Sequence, residues 1–290
     1  MIHRATLIGF TAVLLWALLA LFTVGTAPVP PLQLNAICFA IGGGIGVVWV
    51  SATGGWARLR GVSVWVYLFG TVGLFGYHFL YFSALRNAPA AEAGLIAYLW
   101  PLLIVLFSGL LPGERLSAGH LVGAVVSFVG AALLLARGEV GFSSHYTLGY
   151  VLAGLCALTW SSYSVLSRRL GTVPTDVVAV YCLATAILSL VAHLAVEVTA
   201  WPSTALGWAS IIGLGLGPVG IAFYTWDIGV KRGNIQLLGT ASYAAPLLST
   251  VVLILAGIAR PSAVLILAAI LITAGAVIAA LAGRRTGDVG

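Results

Sequence analysis

Few side chains in this 290-residue chain can do chemistry, and most of those lie inside long apolar runs. His78 is the most informative. It follows Tyr77 directly and precedes Tyr81 by about one helical turn. An ionisable group at membrane depth is costly and is a functional candidate by default, and imidazole changes charge near neutral pH. His78 therefore reads as a polar point in a solute cavity or as a proton carrier. The structural alternative is a neutral ring bonded to a neighbouring helix. His193 reads as structural, and His120 and His145, near helix ends or loops, carry no signal.

A second constellation occurs twice: Tyr98 with Pro101, and Tyr243 with Pro246. A proline in a helix interior removes the hydrogen bond to the carbonyl four residues back, here that of Ala97 or Ser242. In lipid such a carbonyl needs a partner in protein, water or ligand. Each tyrosine shares a helix face with its proline and with a glycine four residues earlier, Gly94 or Gly239. These faces are expected to line a central cavity, where a carbonyl could receive a substrate ammonium. The alternative is a kink satisfied by a neighbouring helix. Trp16, Trp100 and Trp160 also fall inside helices, and Trp160 shares a face with Tyr163 and Ser164. An apolar cavity with aromatic walls and few polar groups suits a flat amphipathic solute. With Tyr224 from the eighth helix, the expected substrate-binding set is Trp16, His78, Tyr81, Ala97, Tyr98, Trp100, Trp160, Tyr163, Tyr224, Ser242 and Tyr243, with Pro101 and Pro246 as helix kinks.

Of the remaining charges, Asp227 and Lys231 have the i,i+4 spacing of a helical ion pair and are expected to snorkel at the inner surface. Glu92 opens the fourth helix, favours its positive terminus, and is placed to pair with Arg86. No nucleophile, base and orienting group share a helix, and there is no phosphate-loop sequence. Gly42-Gly43-Gly44-Ile45-Gly46 follows no strand. Gly42 and Gly46, like Gly213 and Gly217, read as small faces for close helix packing. Cys38, Cys156 and Cys182 read as small buried apolar residues. No enzyme activity, metal or cofactor is expected.

The elements that must hold these groups follow from composition. The chain is 61% hydrophobic and 7% charged, with a mean hydropathy of +1.12, against the roughly 25% charge of a soluble domain. Runs such as 121–136 and 264–282 are continuously apolar, which excludes the alternating strands of a membrane barrel. Helices are expected at 5–24, 32–51, 63–85, 90–111, 117–136, 148–167, 177–196, 205–228, 234–257 and 263–282, separated by Pro- and Gly-containing turns. The first run resembles a signal peptide, but Trp16 in its middle and a counterpart deep in the chain argue for a retained span. Trp49, Trp56, Trp65, Trp201 and Trp208 fall near membrane interfaces and read as anchors. The net charge of +6 does not indicate nucleic acid, because the basic residues lie between apolar runs.

Their distribution sets orientation instead. With the N-terminus inside, Arg4, Arg58, Arg60, Arg115, Arg168, Arg169, Lys231, Arg232, Arg284 and Arg285 are cytoplasmic; Arg86, Arg137 and Arg260 are outside. A shift of half the chain length superposes Gly94 on Gly239, Tyr98 on Tyr243, Pro101 on Pro246 and Gly130 on Gly275. Each half holds an odd number of helices, so the second enters from the opposite side. The expected fold is an all-α integral membrane protein of ten transmembrane helices, arranged as two inverted five-helix repeats, 1–145 and 146–290, with both termini cytoplasmic.

These residues resemble the drug/metabolite transporter superfamily, and its EamA-type members in particular. The resemblance rests on Trp16 and Trp160, Asn87-Ala88-Pro89-Ala90-Ala91, Pro101 and Pro246, and Glu114-Arg115-Leu116 ahead of Gly123 and Gly130. The second half departs from it at Arg232-Gly233-Asn234 and at Ala259. Within the superfamily the chain is most similar to the bacterial aromatic amino-acid exporters. The resemblance implies a multi-pass protein of the bacterial inner membrane that exports aromatic and related amino acids without ATP hydrolysis. Its expected partners are a small-molecule substrate and the lipid bilayer, not nucleic acid, with a monomer possible. A carrier of another metabolite or drug, a lipid-acting membrane enzyme and a water-filled channel are the other readings.

Overall fold

The computed structural model describes residues 2–136 and 141–287, with side chains for 3–136 and 141–282. Among them, ten helical spans are long and apolar enough to cross a bilayer. They are α1 (His3–Gly25), α2 (Pro31–Ala52), α3 (Val64–Asn87), α4 (Ala90–Ser108), α5 (Ala118–Ala136), α6 (Ser144–Arg169), α7 (Val177–Val196), α8 (Ala205–Arg232), α9 (Ile235–Leu255) and α10 (Ala263–Ala282). Each expected run has its span, with ends moved by a few residues. Arg137, and the side chains of Arg284 and Arg285, lie outside the described residues. Connections are short, so consecutive spans run in alternating directions. The end carrying His3 is called the near end below, and its opposite the far end.

Four spans are interrupted. α1 breaks after Trp16 and resumes at Leu19, α4 breaks after Ala97 and resumes at Trp100, and α9 breaks after Ala241 and resumes at Ala244. α8 carries a π-turn over Gly217–Ile221. Pro101 and Pro246 therefore do not kink continuous helices as expected. Each stands in the first turn of a restarted helix, where a missing N–H costs little because first-turn donors lack intrahelical partners.

The most extensive helix pairs are α5 with α10, α2 with α7, α3 with α6 and α1 with α8. Glycine permits the closest of them. A Cβ on Gly123 of α5 would strike the Gly275 carbonyl and the Ala279 amide of α10. With no water to drive association in lipid, such backbone proximity and its dispersion contacts hold helices together. Large apolar side chains such as Leu7, Val48, Trp65 and Leu194 cover the outside, and Trp201 stacks on Trp208 at 5.7 Å near the far end.

Gly123→Ala is expected to destabilise the protein by about 1–3 kcal/mol, because backbone must move to admit the methyl. Gly44→Ala, whose Cβ meets nothing within 4 Å, is expected to be neutral or slightly stabilising. Thermal melting of the detergent-purified variants distinguishes the two.

Candidate solute cavity

The interruptions lie together. They surround a cavity of about 230 Å³ whose wall includes Trp16, Leu19 and Ala20 of α1, Tyr77 and His78 of α3, Tyr98 and Trp100 of α4, and Leu135 of α5. Trp160 of α6, Pro218, Val219 and Phe223 of α8, and Ala245, Pro246 and Ser249 of α9 complete it. Leu19, Ala20, Leu135 and Ser249 come from the far-end halves of their spans, so the cavity runs from mid-bundle toward the far end.

Its aromatic walls are one connected cluster. Trp16 lies edge-on to Trp100 at 5.9 Å and to Trp160 at 6.0 Å. Trp226 lies beneath, 5.1 Å from Trp16. Tyr77 packs on Trp160 at 5.2 Å and Tyr98 on Trp100 at 6.1 Å. Such pairs contribute about 0.5–1.5 kcal/mol each beyond area burial, which makes the wall stiff.

Backbone groups released by the interruptions are satisfied by aromatic side chains from the other half of the chain. The Tyr98 hydroxyl donates to the Ser242 carbonyl at 3.3 Å. The Tyr243 hydroxyl accepts from the Leu102 amide at 3.0 Å. At the π-turn, the Ala222 amide reaches back to the Gly217 carbonyl, and the Pro218 carbonyl takes the Trp16 indole N–H at 3.1 Å.

His78 is anchored differently. Its Nδ1 lies 2.8 Å from the Leu74 carbonyl. A carbonyl only accepts, so Nδ1 carries the proton and Nε2 of the neutral ring is left as an acceptor. Phe39 at 4.9 Å and Phe223 at 6.0 Å hold the ring edgewise. Among the described residues, no Asp, Glu, Lys or Arg lines the cavity.

Of the sequence-predicted residues, Trp16, His78, Tyr98, Trp100, Trp160 and Pro246 line this space. The others do not. Tyr243 is fully buried behind Tyr98 and against Phe128. The Ser242 carbonyl, expected to be open to a ligand, is taken by Tyr98 and by the Ala245 amide. Ala97 is buried in a small cluster with Ala84, Ala93, Ala153 and Cys156. Tyr81 stacks on Tyr77 at 6.2 Å and is not part of the lining. Tyr163 packs behind Trp160, and the Tyr224 hydroxyl is bonded to the Gly42 carbonyl. Pro101 lies outside the lining. Sequence reasoning missed Tyr77, Phe223 and Pro218. Pro218 was open to the argument used for the other two helix prolines, but its glycine-rich surroundings read as packing.

The charged residues also need correction. Asp227 and Lys231 pair at 2.9 Å but do not snorkel; their side chains are 1% and 2% exposed. Glu92 does not pair with Arg86: it accepts from the Tyr150 hydroxyl and the Gly141 amide, while Arg86 pairs with Glu197. At the near end, Glu114 pairs with Arg168 and accepts from Gln236, and Arg168 donates to the Val230 and Gly233 carbonyls. This network closes the near end beneath the cavity, between the α4–α5 connection and α6, α8 and α9.

The profile of the EamA-like transporter family matches residues 3–136 and again 147–281. The chain is 55% identical over 288 residues to an aromatic amino acid exporter, YddG, of Ancylobacter novellus, covering 97% of this chain and 98% of that protein. It is 25% identical over 265 residues to the aromatic amino acid exporter YddG of Escherichia coli, covering 86% and 87%. A protein of known crystal structure, 54% identical, superposes over 99% of both chains with a TM-score of 0.95.

Tyr243→Phe leaves the partly buried Leu102 amide without a partner and is expected to cost about 1–3 kcal/mol. Tyr98→Phe should cost less, because the Ser242 carbonyl keeps the Ala245 amide. Melting temperatures of the two purified variants check the order.

Proposed function

Because the chain belongs to the EamA-like transporter family and is a multi-pass protein of the bacterial inner membrane, we propose that it exports aromatic and related amino acids through this cavity. The observation that carries the reading is the cavity's chemistry: tryptophan and tyrosine walls around a fixed imidazole acceptor, with no charged side chain in the lining among the described residues. Its volume lies below the range of about 300–1,000 Å³ typical of drug-sized ligands, which favours a single amino acid over a larger drug. The substrate ring stacks among Trp16, Tyr98, Trp100 and Trp160. The ammonium donates to His78 Nε2, the one ring nitrogen not tied to backbone. The protein is a carrier rather than an enzyme, since the family to which it belongs is one of transporters.

Movement follows from the same parts. The two halves, 1–145 and 146–290, are inverted repeats, and the N-terminus is cytoplasmic. The double profile match and the helix pairing support the repeat, and the Lys and Arg bias between connections supports the orientation. An exchange of halves maps α3–α6 onto α8–α1 and maps α2–α7 and α5–α10 onto themselves. The near end is then the cytoplasmic end, so the cavity is accessible from outside while the Glu114–Arg168 network closes the inside. Substrate loading from the cytoplasm requires that network to separate, with the breaks in α1, α4 and α9 and the π-turn of α8 absorbing the change. The Tyr81, Ala97, Tyr163, Tyr224, Ser242, Tyr243 and Pro101 positions act behind the wall rather than at the substrate.

In proteoliposomes, counterflow of labelled phenylalanine is expected and should be competed by unlabelled tryptophan and tyrosine. His78→Ala and Tyr98→Ala should each lower it at least about tenfold, the equivalent of about 1.4 kcal/mol, with normal membrane insertion. Full transport in both variants removes the cavity assignment; competition by another metabolite but not by aromatic amino acids shifts the substrate to that class. Glu114→Ala should raise cytoplasmic-side labelling of a cysteine at the buried Ser167 position severalfold in a cysteine-free background.

A further inference from the structure

A second polar feature crosses the bundle apart from the cavity. On α7, Tyr181, Thr185, Ser189 and His193 recur every four residues, and Glu197 follows just past the helix end. All of these side chains are 2% exposed or less. The lane extends sixteen residues, about 24 Å of helix rise, most of the roughly 30 Å hydrocarbon thickness. Polar side chains in membrane helices bond across helix interfaces; this set repeats along one face of α7 and has titratable groups at both ends.

At the far end, Glu197 accepts from the Leu32 and Gln33 amides that open α2, pairs with Arg86, and lies 2.9 Å from His193 Nδ1. His193 Nε2 is 2.9 Å from the Thr199 hydroxyl. In the middle, Asn35 of α2 donates to Ser189 at 2.7 Å. At the near end, Tyr181 lies within electrostatic reach of Asp227, which accepts from Thr175 at 2.7 Å and from Lys231 at 2.9 Å. Tyr163 and Arg232 also face Asp227.

Two buried side-chain polar atoms lack a protein partner among the described residues, Thr185 Oγ1 and Gln33 Nε2. Both belong to the α2–α7 seam. Thr185 is wholly buried and Gln33 is 3% exposed. An unpartnered polar atom in such a place is costly, and water is the ordinary remedy where several polar groups converge. Thr185 stands about 6 Å of helix rise from Tyr181 on one side and from Ser189 on the other, and its hydroxyl bonds to neither, a gap suited to one bridging water.

We propose that the α2–α7 seam is a hydrated proton lane from Glu197 and His193 at the outer face to Asp227, and that it couples proton entry to solute export. The inference rests on the transport reading above. A proton arriving at the Asp227 carboxylate neutralises it and releases it from Lys231, and the proton leaves to the cytoplasm when the pair re-forms. The next residue, Trp226, lies directly under the cavity against Trp16, so the charge state of Asp227 is felt at the cavity floor. One proton moves inward for each solute moved outward.

The test uses full-length protein in proteoliposomes with the membrane potential clamped and the lumen one pH unit more acidic than the outside. Protons leaving the lumen should drive labelled phenylalanine inward to about a tenfold excess over equilibrium, the factor that one pH unit supplies per proton. Thr185→Val should hold accumulation at equilibrium while counterflow at equal pH stays at the wild-type rate. Ser189→Ala, which cuts the bond to Asn35, is the second variant should the first not reach the membrane. Wild-type accumulation that never exceeds equilibrium, or full accumulation in both variants, overturns the lane. Absence of counterflow in the wild type at equal pH instead sinks the substrate reading. The lane is then judged by a high-resolution structure: ordered water bonded to Thr185 Oγ1 and Gln33 Nε2 is expected, and a dry seam overturns it.

Discussion

In hydrocarbon a backbone N–H or C=O that loses its helical partner finds no water to replace it. Four of the ten spans among the described residues are nevertheless interrupted, and all four breaks lie around one space. The cross-chain bonds Tyr98 to Ser242, Leu102 to Tyr243 and Trp16 to Pro218 meet part of that cost. Each bond joins residues more than 140 positions apart, so the interruptions are stable only when the two halves are assembled. The same three aromatic donors and acceptors form or back the cavity wall. Closing the backbone and building the site are therefore one act of packing.

The consequence for function is a site with little electrostatic pull. Its polar equipment is one histidine locked as an acceptor, a few hydroxyls and three indole N–H groups, that of Trp16 already engaged. Such a site discriminates by aromatic shape rather than by charge. A carrier benefits from this, since tight charge pairing would slow release on the far side. The charged pairs lie outside the lining instead, among them Glu114 with Arg168 at one end, Arg86 with Glu197 at the other, and Asp227 with Lys231 buried beneath the cavity. The pairs at the two ends have partners across helix boundaries, where they can register which end is shut.

The spans were legible because twenty-residue apolar runs have a single interpretation, and Trp16, His78, Tyr98, Trp100 and Trp160 were legible because large or polar groups inside such runs stand out. The partners were not. Tyr243 is the sequence counterpart of Tyr98 yet lies buried behind it, because the hydroxyl that meets the Leu102 amide cannot also face the cavity. Asp227 and Lys231 showed their spacing but not their depth, which depends on the α6–α7 connection supplying the Thr175 hydroxyl and the Val173 carbonyl. The π-turn at Pro218 has no signature beyond a proline among glycines, and its role appears only with Trp16 packed against it. The four-residue period from Tyr181 to Glu197 was visible in principle, but serine and threonine in apolar helices pass as packing residues until their burial is known.

The most direct measurement is a crystal structure of the protein grown with a bromine-substituted tryptophan, read by the anomalous signal of the bromine. A peak among Trp16, Tyr98, Trp100 and Trp160, with the amino group of the ligand at hydrogen-bond distance from His78 Nε2, is expected. A peak outside this cavity, such as in the lipid-facing groove beside Gly73 and Tyr163, with none between the tryptophans, contradicts the cavity as the solute site.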